Sequence, residues 1–560
     1  MNKNNKRDNK SNIIAQAGVL ATAGILSRLI GLLYKSPLNS IIGEEGMGYF
    51  YIANNYYTLV LLISSYSIPS AISKVIAQKL AAKEYRNAQR FFQAALCYAL
   101  VAGGVGAAVL FFGANFFADA SSAPVLRIFA PTVLLSGILG VIRGYFQAHN
   151  SMLQTSISQI LEQIVNAAVS ILAAVLVIHA FLGTLQWSDV ASTNTAHSMY
   201  GAIGSAIGTG MGVLFSLIFI CVIYGVNQPM FRKRLERDRS QQLDSYKSIF
   251  ISILCVVTPF ILSTAVYQLS SPVNLSFFRA SSLFHASKEA MINTDAIIAT
   301  NYGVFQNATM ISNIPIAFAS AMAVTIIPSI TQYVYKKDEN SIKNRLFVAS
   351  KTTMIITIPC AVGLLVLANP IYGFLFRNTD EQVLQMGSTL LGALAVTVIF
   401  YGLSTLTNSC LQALGKVTAP ILHALVALFC QTVVLVALLW LTDLGIYSLV
   451  IANIVYSLLM CIFNQVAIWR AVRYRQRFVS IFLKPLFSAF FLGAMAWATY
   501  QAFLLAFGNR DVALLIAVLI GAFCYFVMLL LVRGMNEQEL RGLPKGYLLV
   551  KAAKRLHLLP

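Results

Sequence analysis

The chain has 560 residues, of which 58% are hydrophobic and only 11% are charged, and its mean hydropathy is +0.73. A soluble protein of this length would carry about twice that fraction of charged residues. The composition therefore excludes a soluble enzyme or binding module. It indicates a polytopic membrane protein built from helices, each of which satisfies its own backbone hydrogen bonds in lipid.

The first long apolar stretch, from Ile13 to Tyr34, contains one basic residue, Arg28, and no acidic residue. At 1.5 Å per residue, Arg28 lies about 22 Å along this helix, near or past the membrane midplane. A guanidinium group at that depth costs about 3 kcal/mol and cannot lose its proton. We therefore expect Arg28 to face water, an anionic ligand or a carboxylate inside a bundle. A purely structural pairing with a buried acid is the simpler alternative.

Apolar windows predict fourteen transmembrane helices, so the predicted fold class is an all-α polytopic membrane protein. The expected spans cover about 13–36, 48–78, 88–115, 124–147, 154–181, 198–226, 248–271, 298–333, 346–368, 383–412, 418–441, 446–469, 481–507 and 511–533.

The basic residues are distributed very unevenly between the two sides of these spans. Thirty-three of the 40 Lys and Arg residues fall at the termini and on every second connection, and Arg143 is assigned to this set. By the positive-inside rule, these connections and both termini are cytoplasmic. The net charge of +20 therefore indicates topology and contact with anionic phospholipid rather than nucleic acid.

Two short motifs recur at similar offsets along the chain. Ile68-Pro69-Ser70 returns as Ile327-Pro328-Ser329, and Gln147-Ala148 returns as Gln412-Ala413. This predicts two six-helix lobes of the same orientation, related by a pseudo-two-fold axis along the membrane normal. The expected organisation is an N-terminal lobe (1–229), a cytoplasmic linker (230–247), a C-terminal lobe (248–478), two additional helices (479–533) and a basic cytoplasmic tail (534–560).

Transporters built from such repeats bind their substrate between the halves, near the midplane. The candidate substrate-binding residues are polar groups within or at the ends of spans: Arg28, Tyr34, Asn55, Lys74, Gln147 and Gln412. Glu162 is the only acid well inside a span, and with Asn166 it is a candidate for ion coupling or gating. The alternatives are a structural pairing of Glu162 with Arg28 and, for the amides, simple contacts between helices.

Sequence signals for catalysis or a cofactor are missing. The chain has no Walker A sequence, its eight cysteines form no CxxC motif, and its six histidines are isolated. The longest external connection, about 272–297, is short for a polysaccharide ligase or polymerase. We therefore expect neither an enzyme nor a bound cofactor or metal.

Ser27-Arg28-Leu29-Ile30-Gly31 resembles the S-R-x-x-G signature of the lipid II flippases, within the multidrug/oligosaccharidyl-lipid/polysaccharide exporter superfamily. Ser158-Gln159-Ile160-Leu161-Glu162 resembles the fifth-span pattern of their Gram-positive branch. The resemblance extends over essentially the whole chain. It implies a V-shaped bundle of two lobes with a cationic cavity, which moves an undecaprenyl-diphosphate-linked sugar outward by alternating access. It also implies that the two extra spans help to form a groove for the polyprenyl tail.

The sequence departs from the family pattern at two candidate positions. Tyr34, with Lys35 next to it, stands where relatives commonly have a second cation, and Asn166 stands where this branch often has Arg. The resemblance therefore implies a less cationic cavity than in the best-known members. We expect a flippase of the bacterial cytoplasmic membrane that carries lipid II, with cell-wall synthesis proteins as candidate partners. A flippase for another envelope polysaccharide, a small-molecule antiporter and a non-transporting cell-wall scaffold remain the alternatives.

Overall fold

The computed structural model of the protein describes most of the chain. The described residues are 22–66, 68–149, 151–183, 195–236, 238, 243–255, 268–289, 293–335, 337–377, 380–416, 418–535, 537, 547 and 551. Within these ranges the chain is helical, with short turns and no β-strand. The predicted all-α fold class is therefore confirmed.

Seventeen α-helices and two short π-helices, Leu62–Tyr66 and Val479–Leu483, are described, and the α-helices are numbered in chain order. The first nine are α1 (Thr22–Leu33), α2 (Lys35–Leu61), α3 (Ile68–Ala81), α4 (Tyr85–Phe117), α5 (Ser122–Ala148), α6 (Met152–Leu182), α7 (Thr195–Leu235), α8 (Tyr246–Cys255) and α9 (Ser270–Glu289). The others are α10 (Thr294–Tyr335), α11 (Glu339–Val366), α12 (Ala368–Leu375), α13 (Glu381–Ala413), α14 (Thr418–Leu441), α15 (Tyr447–Val472), α16 (Lys484–Phe507) and α17 (Arg510–Leu531).

Ten of the described helical segments are long and apolar enough to cross a membrane. They coincide with the third to sixth and the ninth to fourteenth predicted spans. The count of fourteen stays a prediction. The first and seventh predicted spans lie partly outside the described residues, and the second and eighth, which contain α2, α3 and α10, are not among the ten. The external piece expected near 272–297 is largely helical, since α9 occupies most of it.

The chain divides into two compact units, Met1–Gln306 and Asn307–Pro560. The division falls inside α10 because the first turns of this helix pack tightly against α2. It therefore differs from the linker that the sequence predicts at 230–247. The organisation into lobes, which rests on the internal repeat, stays a prediction.

The chain reverses its direction within α2, at Gly43. The ammonium group of Lys35 lies 3.5 Å from the centroid of the Phe50 ring, although fifteen residues of straight helix would separate the two by about 22 Å. Gly43 permits the reversal with a φ of 73° and a ψ of 172°, a conformation that is essentially restricted to glycine. His197 donates a hydrogen bond from Nε2 to the carbonyl oxygen of Ile41, two residues before this turn.

α1 packs beside α6 in parallel register. The Ser27 hydroxyl donates to the carbonyl oxygen of Gln159 at 3.5 Å, and the Asn166 amide donates to the Tyr34 hydroxyl at 3.4 Å. Both pairs are separated by 132 residues in the sequence. A constant offset of this sign requires helices that run in the same direction, as the prediction of α1 and α6 as the first and fifth spans demands.

The end of the predicted linker is attached to the turn between α3 and α4. Lys79 lies between two carboxylates, with its Nζ 2.7 Å from an Asp244 oxygen and 2.8 Å from a Glu84 oxygen. Asn87 donates to Glu84 and accepts a hydrogen bond from the backbone N–H of Asp244. Arg90 donates to the carbonyl oxygen of Asp244. This network holds the chain that leads into α8 against the N-terminal helices.

The two C-terminal helices, α16 and α17, pack on each other and on α11. Gly493 of α16 leaves room for Val362 of α11, and the hydroxyl of Tyr525 of α17 donates to the carbonyl oxygen of Ile355 at 2.8 Å. Large apolar side chains on the remaining faces of the pair are exposed, among them Leu505 and Leu519. In a membrane protein such faces are covered by lipid chains.

We predict that Gly43→Ala destabilises the protein by about 1–3 kcal/mol, because alanine is strained at this φ and ψ although nothing crowds its methyl group. Gly104→Ala in α4 is the matched control, since its methyl group also meets open space but its backbone is helical. This control should be neutral or stabilising by up to about 1 kcal/mol. Thermal unfolding of both variants in detergent tests the prediction, and equal midpoints for the two would contradict it.

We also predict that Lys79→Met speeds hydrogen–deuterium exchange in residues 243–247 about two- to five-fold, because partly exposed ion pairs contribute up to about 1 kcal/mol. Hydrogen bonds from Lys79 and Asn87 hold the pKa of Glu84 below its ordinary value. The Glu84 contribution is therefore present above the ordinary carboxyl pKa and is lost as the pH falls through the lowered one. Lys343→Met, which removes a pair within α11, should leave this segment unchanged.

Candidate functional site

One cluster of buried polar groups in the first unit lies where the end of α1 packs against α6 and α7. Asn166 is at the centre of this cluster: its amide donates to Tyr34, and its oxygen accepts from Ser170 at 2.9 Å and from Thr209 at 3.3 Å. Tyr34 and Asn166 were both expected at the site, and the structure brings them into contact. Asn166 has several protein partners here, so its described role is to hold three helices together.

Arg28 lies on a different side of α1 from both α6 and the apolar surface. The exposed residues Leu26, Leu29 and Leu33 mark the apolar surface, and at 100° per residue Arg28 is about 130° around the helix from their centre. Arg28 is itself exposed, and it makes no hydrogen bond or ion pair with any residue that the structure describes. Its guanidinium group is therefore available to a ligand.

Lys35 lies seven residues after Arg28. It is not among the site residues predicted from the sequence. The helix continues from α1 into α2 through hydrogen bonds from Tyr34 N–H to Ile30 and from Leu38 N–H to Tyr34. Seven residues are two turns, so Arg28 and Lys35 share one face and are about 10 Å apart along the axis. We call this pair the cation face.

The ammonium group of Lys35 is buried, with 5% of the residue exposed, and it has no hydrogen-bond partner among the described residues. It lies over the Phe50 ring at 3.5 Å and near the rings of Tyr34 and Tyr51 at 5.1 and 5.2 Å. Cation–π contacts contribute about 2 kcal/mol when desolvated, whereas burying an ammonium ion costs several kcal/mol. Lys35 is therefore held at a net cost, as is typical of functional charges in membranes.

Glu162 is paired with Arg143 and not with Arg28. The Arg143 guanidinium lies 2.8 Å from Glu162, and it also donates to the hydroxyls of Ser158 and Ser216 at 2.7 and 2.9 Å. The prediction that Arg143 lies in a connection between helices is wrong. This arginine lies inside α5 with only 13% of its side chain exposed, where a guanidinium requires a carboxylate partner. Arg143 directly follows the apolar run Leu139-Gly140-Val141-Ile142, and this position indicates that it belongs to the helix and not to a connection.

Asn55 lies where α2 meets the first turns of α10. Its amide donates to the Tyr302 hydroxyl at 3.1 Å, and both residues are buried. Close by, the two backbones touch: a Cβ added to Gly48 would lie 1.9 Å from the carbonyl oxygen of Ala299, and one added to Gly303 would lie 2.5 Å from that of Glu44. Small residues allow this approach. We call this contact the α2–α10 seam.

The three remaining candidates lie at or near helix ends. Lys74 is exposed on α3, and Gln147 is half-buried near the end of α5. These two helices meet where Gly144 approaches the backbone of Pro69. Gln412 is exposed near the end of α13, in the second unit. None of the three contacts Arg28, Glu162 or Asn166 through a described hydrogen bond.

Residues 107–519 match the family model described as "Lipid II flippase MurJ". The chain belongs to the MurJ family. It is 23% identical over 419 residues to the lipid II flippase MurJ of Bacillus subtilis, a match that covers 72% of this chain and 73% of the relative. It is 22% identical over 539 residues to the stage V sporulation protein B of the same organism, covering 94% and 96%.

Two solved structures have the same fold as this MurJ-family chain. A lipid II flippase MurJ in an inward closed conformation matches with a TM-score of 0.65 at 15% identity, covering 91% of this chain and 97% of that structure. An inward-facing multidrug transporter of the same superfamily matches with a TM-score of 0.59, covering 80% and 95%. The protein is therefore a multi-pass membrane transporter of a flippase family, as the resemblance implied.

We predict that Arg143 and Glu162 stabilise the first unit only as a pair, so that removing one charge costs more than removing both. Arg143→Met should destabilise the protein by about 3–5 kcal/mol, because it leaves a carboxylate largely buried without its partner. The double variant Arg143→Met/Glu162→Gln should recover more than half of that loss, since no charge remains to be desolvated. Chemical unfolding in detergent measures the cycle, and additive costs of the two changes would show that the pair does not interact.

Proposed function

We propose that this protein moves an undecaprenyl-diphosphate-linked sugar precursor, lipid II for peptidoglycan, from the inner to the outer leaflet of the bacterial cytoplasmic membrane by alternating access. The cation face of Arg28 and Lys35 is the observation that carries the proposal. Membership of the MurJ family supports the class of transport, and the chemistry of the cation face supports a diphosphate.

Arg28 and Lys35 suit a diphosphate in complementary ways. An arginine guanidinium binds two phosphate oxygens at once in a fixed geometry, whereas a lysine ammonium is a compact charge. Arg28 is exposed and without a described partner, so it would meet the diphosphate first. Lys35, two turns further along the same face, would attract the charge deeper into the helix bundle. With Lys35, the proposed site has more cations than the two departures from the family pattern, at Tyr34 and Asn166, implied.

The other site residues enter the proposal in three ways. The α2–α10 seam is close-packed, and Asn55 bonds to Tyr302 rather than to a ligand. We propose that this seam closes the outer end of the path and separates during transport. Glu162, which is paired with Arg143, and Asn166 are the candidates for a gate or an ion-coupling site. Lys74, Gln147 and Gln412 would contact the substrate where it enters or leaves.

The orientation of the chain is part of the proposal. The distribution of basic residues supports cytoplasmic termini, and the Gly43 turn, which separates the first two predicted spans, would then face outward. A second substrate class also has specific support: the cation face recognises only the diphosphate, which all polyprenyl-diphosphate-linked glycans share. Another envelope glycan therefore fits the same residues, and the head group must be identified by experiment.

We predict that Arg28→Ala lowers transport about 10- to 100-fold, since charge-assisted hydrogen bonds contribute about 1.5–3 kcal/mol each. Arg28→Lys should retain part of the activity, because it keeps the charge and loses the two-pronged geometry. Lys35→Met should also lower transport, although it removes a costly buried charge and so should not destabilise the fold. The measurement is the leaflet distribution of lipid II after depletion of the protein in its host, with each variant supplied for rescue.

Arg232→Ala is the control, because this arginine is exposed at the end of α7, far along the chain from the cation face. It should rescue as the parent does. Full rescue by Arg28→Ala would contradict the role of the cation face. Accumulation of a different polyprenyl-linked glycan in the inner leaflet, with lipid II unaffected, would replace the substrate and leave the mechanism intact.

A further inference from the structure

Two cavities in the second unit flank α15 near its C-terminal end. The first, of about 590 Å³, lies between α14 and α15. The second, of about 440 Å³, lies between α13, α15 and the segment that leads into α16. Ile462 and Val466 line both cavities, and both side chains are exposed, at 46% and 41%. Because they are four residues apart on one helix face, they form a ridge that separates the two cavities.

The charges around these cavities have one sign. Lys416 and Arg470 line the first cavity together with His423, whose Nδ1 is hydrogen-bonded to Asn464. Arg475 lines the second. No acidic side chain is among the residues that line either cavity. Two exposed cations at the rim of an apolar cavity, without a carboxylate to neutralise them, are complementary to an anion that carries an apolar chain.

The position of Trp469 relates the site to the membrane surface. Trp469 lines the second cavity, and the Arg473 guanidinium lies 5.2 Å from its ring centroid. Tryptophan is enriched at the level of the lipid head groups. The distribution of basic residues, on which the proposed orientation rests, puts this end of α15 at the cytoplasmic leaflet. Anionic phospholipids give that leaflet its negative surface potential.

We propose that the two cavities form a binding site for one anionic phospholipid. Its phosphate lies between Lys416 and Arg470, and its two acyl chains lie on opposite sides of the Ile462–Val466 ridge. The pair of cavities favours a lipid with two chains over a polyprenyl phosphate, which has one. The site lies in the second unit, and none of its residues belongs to the cation face, so it is additional to the proposed transport function.

The site can be tested through its own tryptophan. The chain has four tryptophans, and replacement of Trp187, Trp440 and Trp497 by phenylalanine leaves Trp469 as the only reporter. The full-length variant is reconstituted in phosphatidylcholine vesicles that contain increasing fractions of phosphatidylglycerol with brominated acyl chains. We expect saturable quenching at a low mole fraction, displaced by unbrominated phosphatidylglycerol. Equal quenching by brominated phosphatidylcholine would overturn the proposal.

Substitution distinguishes a built site from general attraction to the surface. Lys416→Gln/Arg470→Gln should raise the half-saturating mole fraction at least five-fold, because one basic residue near an anionic surface contributes about 1 kcal/mol. Arg232→Gln/Lys233→Gln removes the same charge from an exposed helix end outside both cavities and should leave the curve unchanged. Equal shifts in the two double variants would overturn the site.

Two further measurements complete the test. Val466→Phe fills the ridge between the cavities without a change of charge, and it should weaken quenching while the thermal midpoint stays that of the parent. Unchanged quenching in this variant would show that no acyl chain occupies the cavities.

Undecaprenyl phosphate is the competing lipid. If it displaces the brominated lipid at a lower mole fraction than phosphatidylglycerol does, the site belongs to a polyprenyl phosphate and the proposal fails. None of these measurements depends on flippase activity, so the site can fail the test without affecting the proposed function.

Discussion

The reversal of the chain at Gly43 determines the arrangement of the first unit. It folds the two arms of α2 against each other, which brings the Phe50 ring over the ammonium group of Lys35. Without this turn, Lys35 would have no apolar cover and the second arm could not reach α10. The same backbone geometry thus positions a buried cation on one side and the α2–α10 seam on the other.

Embedded charges in this protein are held in two physically different ways. Arg143 has a carboxylate and two hydroxyl partners, so its charge is compensated within the protein. Arg28 and Lys35 have no such partners in the described structure, and only aromatic rings offset the burial of Lys35. Compensated charges stabilise a fold, whereas uncompensated charges on one helix face attract an anion. This contrast separates a candidate structural or gating pair from a candidate binding face.

Family and substrate rest on different kinds of observation. Family membership follows from a match over 413 residues, 107–519, and the fold agrees with solved structures over most of the chain. At 22–23% identity, however, the likeness to relatives does not identify the sugar head group that this chain carries. Tyr34 and Asn166 bond to each other, whereas the sequence resemblance implied cations at these two positions. The proposed diphosphate recognition therefore depends on this chain's own residues.

The sequence by itself determined the membrane class, the helical fold and ten spans, because runs of apolar residues of the required length leave the backbone no alternative in lipid. It also made Arg28 a candidate site residue, because counting residues along one helix predicts that this charge lies deep in the membrane, which stays a prediction. Only the tertiary structure decided the partners: Glu162 with Arg143, Asn55 with Tyr302, and Lys35 with Phe50. These pairs join residues on separate arms or helices, and hydropathy contains no information on which helix faces meet. Periodicity can place a charge in the membrane, but packing decides what compensates it.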